Sequence, residues 1–234
     1  MWRVVRFLGL TMIWSGVLIF LFLAYELWGT DLLASRSQAV AEEELSFYFD
    51  STRSSAPPET PSTTAAPQTT STTPLPELLA EQPVAEGEPF ARIVIPKIEV
   101  EEVVFQGVDR STLKQGPGHM PWTPLPGQPG NAVISGHRTT YGRPFYDLDL
   151  LEPGDRIEVE TSLGVHVYEV REIMIVKPTD VWVTEEKPGA WLTLTTCNPR
   201  FSAAERLIVQ ASLVEGPNLD YVLSIQGEAV GDAA

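Results

Sequence analysis

The sequence predicts a mainly β domain, a small closed barrel or a sandwich, set behind one long apolar helix. Three features carry that expectation. Segments of strand length recur from about residue 91 to residue 213, and several alternate apolar with polar residues as half-buried strands do. The stretches between them are rich in Gly and Pro and show little helical period. Ahead of them an uncharged apolar run gives way to a Ser/Thr/Pro-rich segment that cannot bury enough surface to fold.

The apolar run extends from Phe7 to Tyr25. At about 1.5 Å per residue its length matches a hydrocarbon core of about 30 Å. Arg3 and Arg6 precede it and Glu26 and Asp31 follow, so positive charge is expected to keep residues 1–6 in the cytoplasm. Tyr25 and Trp28 fall where an outer aromatic belt belongs. A cleaved signal peptide has a shorter apolar region followed closely by a small-residue site; here Ala39-Val40-Ala41 stands well beyond the run. The expectation is therefore an anchor over residues 7–28 with the remainder outside the cell membrane.

Residues 29–88 read as a stalk and spacer. Glu26 to Leu45 is helix-forming, and Ser51 to Pro76 is polar, Pro-rich and without a period, so disorder is expected there. The domain is expected over 89–216. Its strands are read at Ala91–Ile95, Val100–Gln106, Asn131–Ser135, Arg156–Glu160, Val165–Ile175, Trp191–Thr195 and Arg206–Leu213, with a helical turn at Ser111–Gln115. Gly116 to Gly130 reads as a loop, and residues 217–234 as a loose acidic tail.

Acids outnumber bases, 31 to 16, for a net charge of −15, which removes the basic face a nucleic-acid partner would require. The chain has a single cysteine, Cys197. In an exported chain an unpaired cysteine is an intermolecular bridge, a reactive thiol or a buried inert residue. A reactive thiol needs a base or a cation beside it. Of the three histidines, His119 lies in the Gly/Pro-rich loop and His166 inside an alternating strand. His137 follows an apolar strand immediately, as Cys197 does, and Arg206 opens the next strand, where it can meet a developing oxyanion.

The run Thr193-Leu194-Thr195-Thr196-Cys197-Asn198-Pro199, followed by Arg206-Leu207-Ile208-Val209, resembles the signature of the sortases. Ser135-Gly136-His137-Arg138-Thr139-Thr140 is similar to the segment that carries their histidine. His137 to Gly142, Cys197 to Phe201 and the Tyr25 to Thr30 stretch look most like the class E sortases of actinobacteria. The resemblance covers about Ala91 to Leu213 and implies a closed eight-stranded β-barrel, one strand more than the direct reading finds.

It also implies a cysteine transpeptidase with His137, Cys197 and Arg206 catalytic and Thr195, Thr196 and Asn198 beside the substrate. Its substrates would be exported proteins cut between Thr and Gly of a C-terminal Leu-Pro-x-Thr-Gly or Leu-Ala-x-Thr-Gly signal. The acceptor would be an amine of a cell-wall precursor. Neither metal nor cofactor is implied. Two other roles share these residues: a pilin-polymerising sortase, disfavoured by the absence of an Asp-Pro-aromatic lid motif, and an exported cysteine hydrolase using water.

Overall fold

The computed structural model describes residues 2–25, 30–55 and 76–231. Most of the stretch expected to be disordered lies outside them. Helix α1, Trp2–Ala24, carries Arg3 and Arg6 in its first turns and is predominantly apolar from Phe7 onward; Phe7, Trp14 and Phe20 are all exposed. A second helix, α2, spans Thr30–Ser55.

Eight strands follow: β1 Pro89–Ile95, β2 Val100–Gln106, β3 Gly118–His119, β4 Gly130–Ser135, β5 Arg156–Thr161, β6 Gly164–Val176, β7 Ala190–Asn198 and β8 Glu205–Glu215. They close into a barrel in the order β1-β2-β3-β4-β7-β8-β6-β5. Between β2 and β3 lies a single helical turn, α3, Arg110–Leu113, whose Asp109 cap accepts from the Ser111 and Thr112 amides.

Side chains alternate across every strand. Ala91, Ile93 and Ile95 of β1, Ile134 of β4, Leu192 and Leu194 of β7, and Leu207 and Val209 of β8 fill the barrel. Tyr168 is buried among them and its hydroxyl accepts from the Gly127 amide at 2.6 Å, so its one polar atom is satisfied.

All seven strands read from the sequence are present, and the barrel is the closed alternative. The eighth strand, β3, lies inside the expected Gly/Pro-rich loop. It is two residues long and exists through its partners, parallel to β2 and antiparallel to β4.

Three expectations about the flanks change. The domain starts before residue 89: Leu79 exchanges two hydrogen bonds with the Asn218 side chain, both 2.9 Å, and Glu81 accepts from Ser162 Oγ at 2.6 Å. The expected stalk is helical but does not stand off, because Ala41, Leu45 and Phe49 of α2 bury themselves on Val103 and Phe105 of β2. The expected loose tail contains helix α4, Leu219–Gly231, whose Val222 joins the barrel core.

Candidate active site

β4 and β7 are parallel neighbours in register from Gly130↔Ala190 to Ser135↔Thr195. Parallel strands leave a sheet at the same end, so residues equally far past the last pair emerge side by side. The Gly136 amide donates to Thr195 O at 3.1 Å and carries the ladder one step further. Thr196 Oγ1 donates to Gly136 O at 2.7 Å. His137 and Cys197 each stand two residues beyond the Ser135↔Thr195 pair. β8 runs the opposite way and pairs Cys197 with Arg206.

The core takes Leu192 and Leu194 of β7 and Leu207 and Val209 of β8. By alternation Thr195, Cys197 and Arg206 face outward. They line an outer cleft of about 280 Å³ together with His137, and Val108, Leu113 and Met120 give the cleft an apolar wall.

The turn into His137 depends on Gly136. A Cβ there would lie 2.6 Å from the ring of Phe145, a fully buried core residue. Phe145 in turn donates its amide to His137 O at 3.2 Å. A glycine therefore lets the core ring support the histidine backbone directly.

His137 Nε2 is buried and has no hydrogen-bond partner among the described residues. Its ring lies 5.2 Å from that of Tyr141, and Lys114 Nζ sits 5.4 Å from the Tyr141 centroid. Burial, and then the Lys114 charge, push the His137 pKa below its ordinary value, so the neutral imidazole is favoured at rest. Arg206 is held by its own turn: Nη1 donates to Ala203 O at 3.1 Å and Glu205 O at 2.9 Å. Cys197 is a free, half-buried thiol.

Five of the expected residues, His137, Cys197, Arg206, Thr195 and Thr196, thus share one cleft. Of these, Thr196 spends its hydroxyl on Gly136 O, joining the two strand ends. Asn198 is not part of the lining. Its amide donates to Glu205 Oε2 at 2.9 Å and its oxygen accepts from Arg138 at 2.6 Å, so it serves the loop rather than a ligand.

Arg138, directly after His137, is a further residue of the site. It is 3% exposed, and its guanidinium donates to Cys197 O at 3.3 Å, Asn198 Oδ1 at 2.6 Å and Tyr146 O at 3.3 Å. It also pairs with Asp149 at 3.0 Å. A buried guanidinium persists when its donors are satisfied this fully, and here they tie the histidine segment to the nucleophile segment. An arginine directly after the strand-end histidine was the available signal. Nothing in the sequence placed Tyr141 against His137.

The model of the sortase domain family matches residues 93–214. The chain belongs to the sortase family. Within it the chain is class E-like. It is 31% identical over 226 residues to sortase SrtE1 of Streptomyces coelicolor, covering 90% of this chain and 57% of that relative. It is 34% identical to sortase D of Bacillus subtilis over 48% of this chain and 56% of the relative. The chain thus spans a little over half the length of these curated relatives. Sortase E from Streptomyces avermitilis superimposes with a TM-score of 0.53 at 35% identity, covering 56% of this chain and 91% of that one. Sortase E1 from Streptomyces coelicolor, solved with a tripeptide in its active site, gives 0.53 at 35% over 56% and 92%.

Proposed function

We propose that this chain is a membrane-anchored transpeptidase that cuts a C-terminal Leu-Pro-x-Thr-Gly or Leu-Ala-x-Thr-Gly signal of exported proteins between Thr and Gly. It transfers the new Thr carboxyl group to an amine of a cell-wall precursor. The observation that carries the proposal is the parallel β4–β7 pair, which delivers His137 and Cys197 to one cleft with Arg206 opposite.

In this reading Cys197 reacts as the thiolate. Its sulfur attacks the Thr carbonyl carbon, and Arg206 meets the oxyanion with guanidinium N–H groups held in a fixed plane. His137, as imidazolium, gives its proton to the departing Gly amine as the C–N bond breaks. A thioester remains, and the amine-containing peptide leaves. The neutral His137 then takes a proton from the incoming amine, the new amide bond forms, and the thiolate is released. Burial and the Lys114 charge work against the imidazolium form of His137. The apolar wall of Val108, Leu113 and Met120 suits the leucine of the signal. The exposed apolar helix α1 fits a membrane span, with the catalytic domain outside the cell.

Full-length protein in detergent is incubated with Leu-Ala-x-Thr-Gly and Leu-Pro-x-Thr-Gly peptides, with and without a diaminopimelate- or oligoglycine-type amine, and followed by mass spectrometry. The expected result is an acyl adduct on Cys197, resolved to an amide when the amine is present. Cys197→Ala should lose both species while keeping its melting temperature. Cleavage by Cys197→Ala at the wild-type rate would refute the proposal.

A further inference from the structure

The short strand β3 leaves a gap in the barrel wall, and α2 fills it. β3 pairs with β2 only at Phe105 and Gln106. The Val103 amide and carbonyl, one step down the same edge, have no strand to meet. Gln38 of α2 meets both: its Oε1 accepts from the Val103 amide at 2.7 Å and its Nε2 donates to Val103 O at 3.1 Å. The same Nε2 donates to Gln115 O at 2.9 Å. A Cβ on Gly116 would stand 2.1 Å from that nitrogen, so the close approach is built into both sides.

About two turns earlier, α2 meets the segment that follows His137. Asp31 Oδ1 accepts from the Gly142 amide at 3.1 Å, and its Oδ2 lies 3.4 Å from Arg143 Nη2. Ala34 is buried, with its Cβ 3.4 Å from the Cβ position of Gly142. Tyr141, Gly142 and Arg143 have φ of 52°, 77° and 54°, three consecutive left-handed residues. Two of them carry a Cβ that disfavours this region, and such a conformation persists when its surroundings hold it. Tyr141 is the residue whose ring lies against His137, and Lys114 over that ring is the neighbour of Gln115.

We propose that α2 is a positioning element for His137. Asp31 holds the left-handed Tyr141–Arg143 loop, Gln38 holds the Lys114–Gln115 turn, and together they seat Tyr141 beside the imidazole. This rests on the reading of His137 as the proton donor, and it makes the membrane-proximal helix part of the catalytic apparatus. Neither Asp31 nor Gln38 reaches the cleft; each acts through the loop it holds.

The test uses the full chain in detergent with Asp31→Ala, Asp31→Asn, Gln38→Ala and, as a control on the exposed face of the same helix, Leu33→Ala. Acylation by a sorting-signal peptide, alkylation of Cys197 by iodoacetamide against pH, the NMR titration of His137 and the melting temperature are measured for each. For Asp31→Ala we expect kcat to fall about 10-fold, as a small misplacement of a catalytic group produces, with KM changed less than about 2-fold. The His137 titration should move upward as burial is relieved. Asp31→Asn, which keeps the acceptor for the Gly142 amide, should fall between Asp31→Ala and wild type, and Leu33→Ala should match wild type. A lower melting temperature with kcat and the His137 titration unmoved would overturn the proposal. If the wild type fails to acylate with any peptide while Asp31→Ala still shifts the His137 titration and the alkylation profile, the positioning role stands and the transpeptidase reading falls.

Discussion

The two halves of the barrel wall are built to different standards. On one side β6 and β8 pair from Val167↔Glu215 to Val176↔Arg206, and β8 continues onto β7 from Trp191↔Ser212 to Asn198↔Glu205. On the other side β2 and β4 are joined by a strand of two residues. The long seam is backbone ladder over a filled apolar core. The short seam is completed by side chains: Gln38 on the β2 edge, Phe145 under Gly136, and Arg138 across to the nucleophile strand. The candidate site lies where the two meet. Cys197 and Arg206 come from the long seam, and His137 comes from the short one. The nucleophile thus stands on the stiffer support and the proton donor on the adjustable one.

The largest expected effect separates chemistry from support. His137→Ala should lower acylation by about 10²–10⁴-fold, the usual worth of a general acid, measured in single turnovers with a sorting-signal peptide. Its melting temperature should stay close to wild type, since the ring leaves Nε2 unbonded among the described residues. Near-normal acylation would remove His137 from the proposed mechanism.

On the long seam the outcome should invert. Leu192→Ala opens a cavity in the filled barrel and should cost about 2–5 kcal/mol in urea unfolding. Below the unfolding transition its kcat/KM should stay within about 3-fold of wild type, because Leu192 lies in the core and does not line the cleft. A loss of activity much larger than that would mean the two seams are coupled.

The smallest effect is in pH. Burial holds His119 and His166 down at about 4, below the ordinary 6.5. As pH falls from 6.5 to about 4 the unfolded chain takes up protons that the folded chain refuses, so stability is lost across that window. Burial pushes Glu102 up to about 7 from 4.5, which works the other way: the folded state binds its proton first, and stability rises as pH falls from about 7 to 4.5. Two groups oppose one, so acid should destabilise overall. Glu102→Gln should raise stability above pH 7 and make the acid loss steeper, read from melting temperatures between pH 4 and 8. An unchanged profile in Glu102→Gln would show that the carboxyl is solvated.

The long seam was legible in the sequence because period-two alternation reports burial on one face, as in Arg206–Leu213 and Val165–Ile175. The short seam was not. β3 is too short to carry any period and is created by its neighbours. Gly118 and His119 read as loop because Gly and Pro surround them. The docking face of α2, Ala34, Gln38, Ala41, Leu45 and Phe49, has helical spacing, but Leu32, Leu33, Val40 and Phe47 are exposed on other faces and blur it. Val222 of α4 gave too little apolar signal to mark a packed helix at the C-terminal end. In the site, strand ends drew attention to His137, Cys197 and Arg206, and alternation could have separated outward Thr195 from inward Thr196. Asn198, at the end of β7, and Arg138, in the loop after β4, bond each other 60 residues apart, a pairing that local pattern does not record.

The parallel pairing of β4 and β7 also sets an order of assembly. Antiparallel neighbours can be joined by a tight turn, whereas these two are separated by the whole of β5 and β6. A chain emerging from its N-terminus makes the histidine strand early. It must complete a long excursion before the thiol arrives, and must then add β8 to bring the arginine opposite. Contacts of such long range form late, since the closure entropy of the intervening loop has to be overcome first. Until β8 seats against both β7 and β6, the barrel is open and the thiol has no arginine opposite it. The single cysteine therefore spends its synthesis as an ordinary, weakly reactive side chain, and completion of the fold is what arms it.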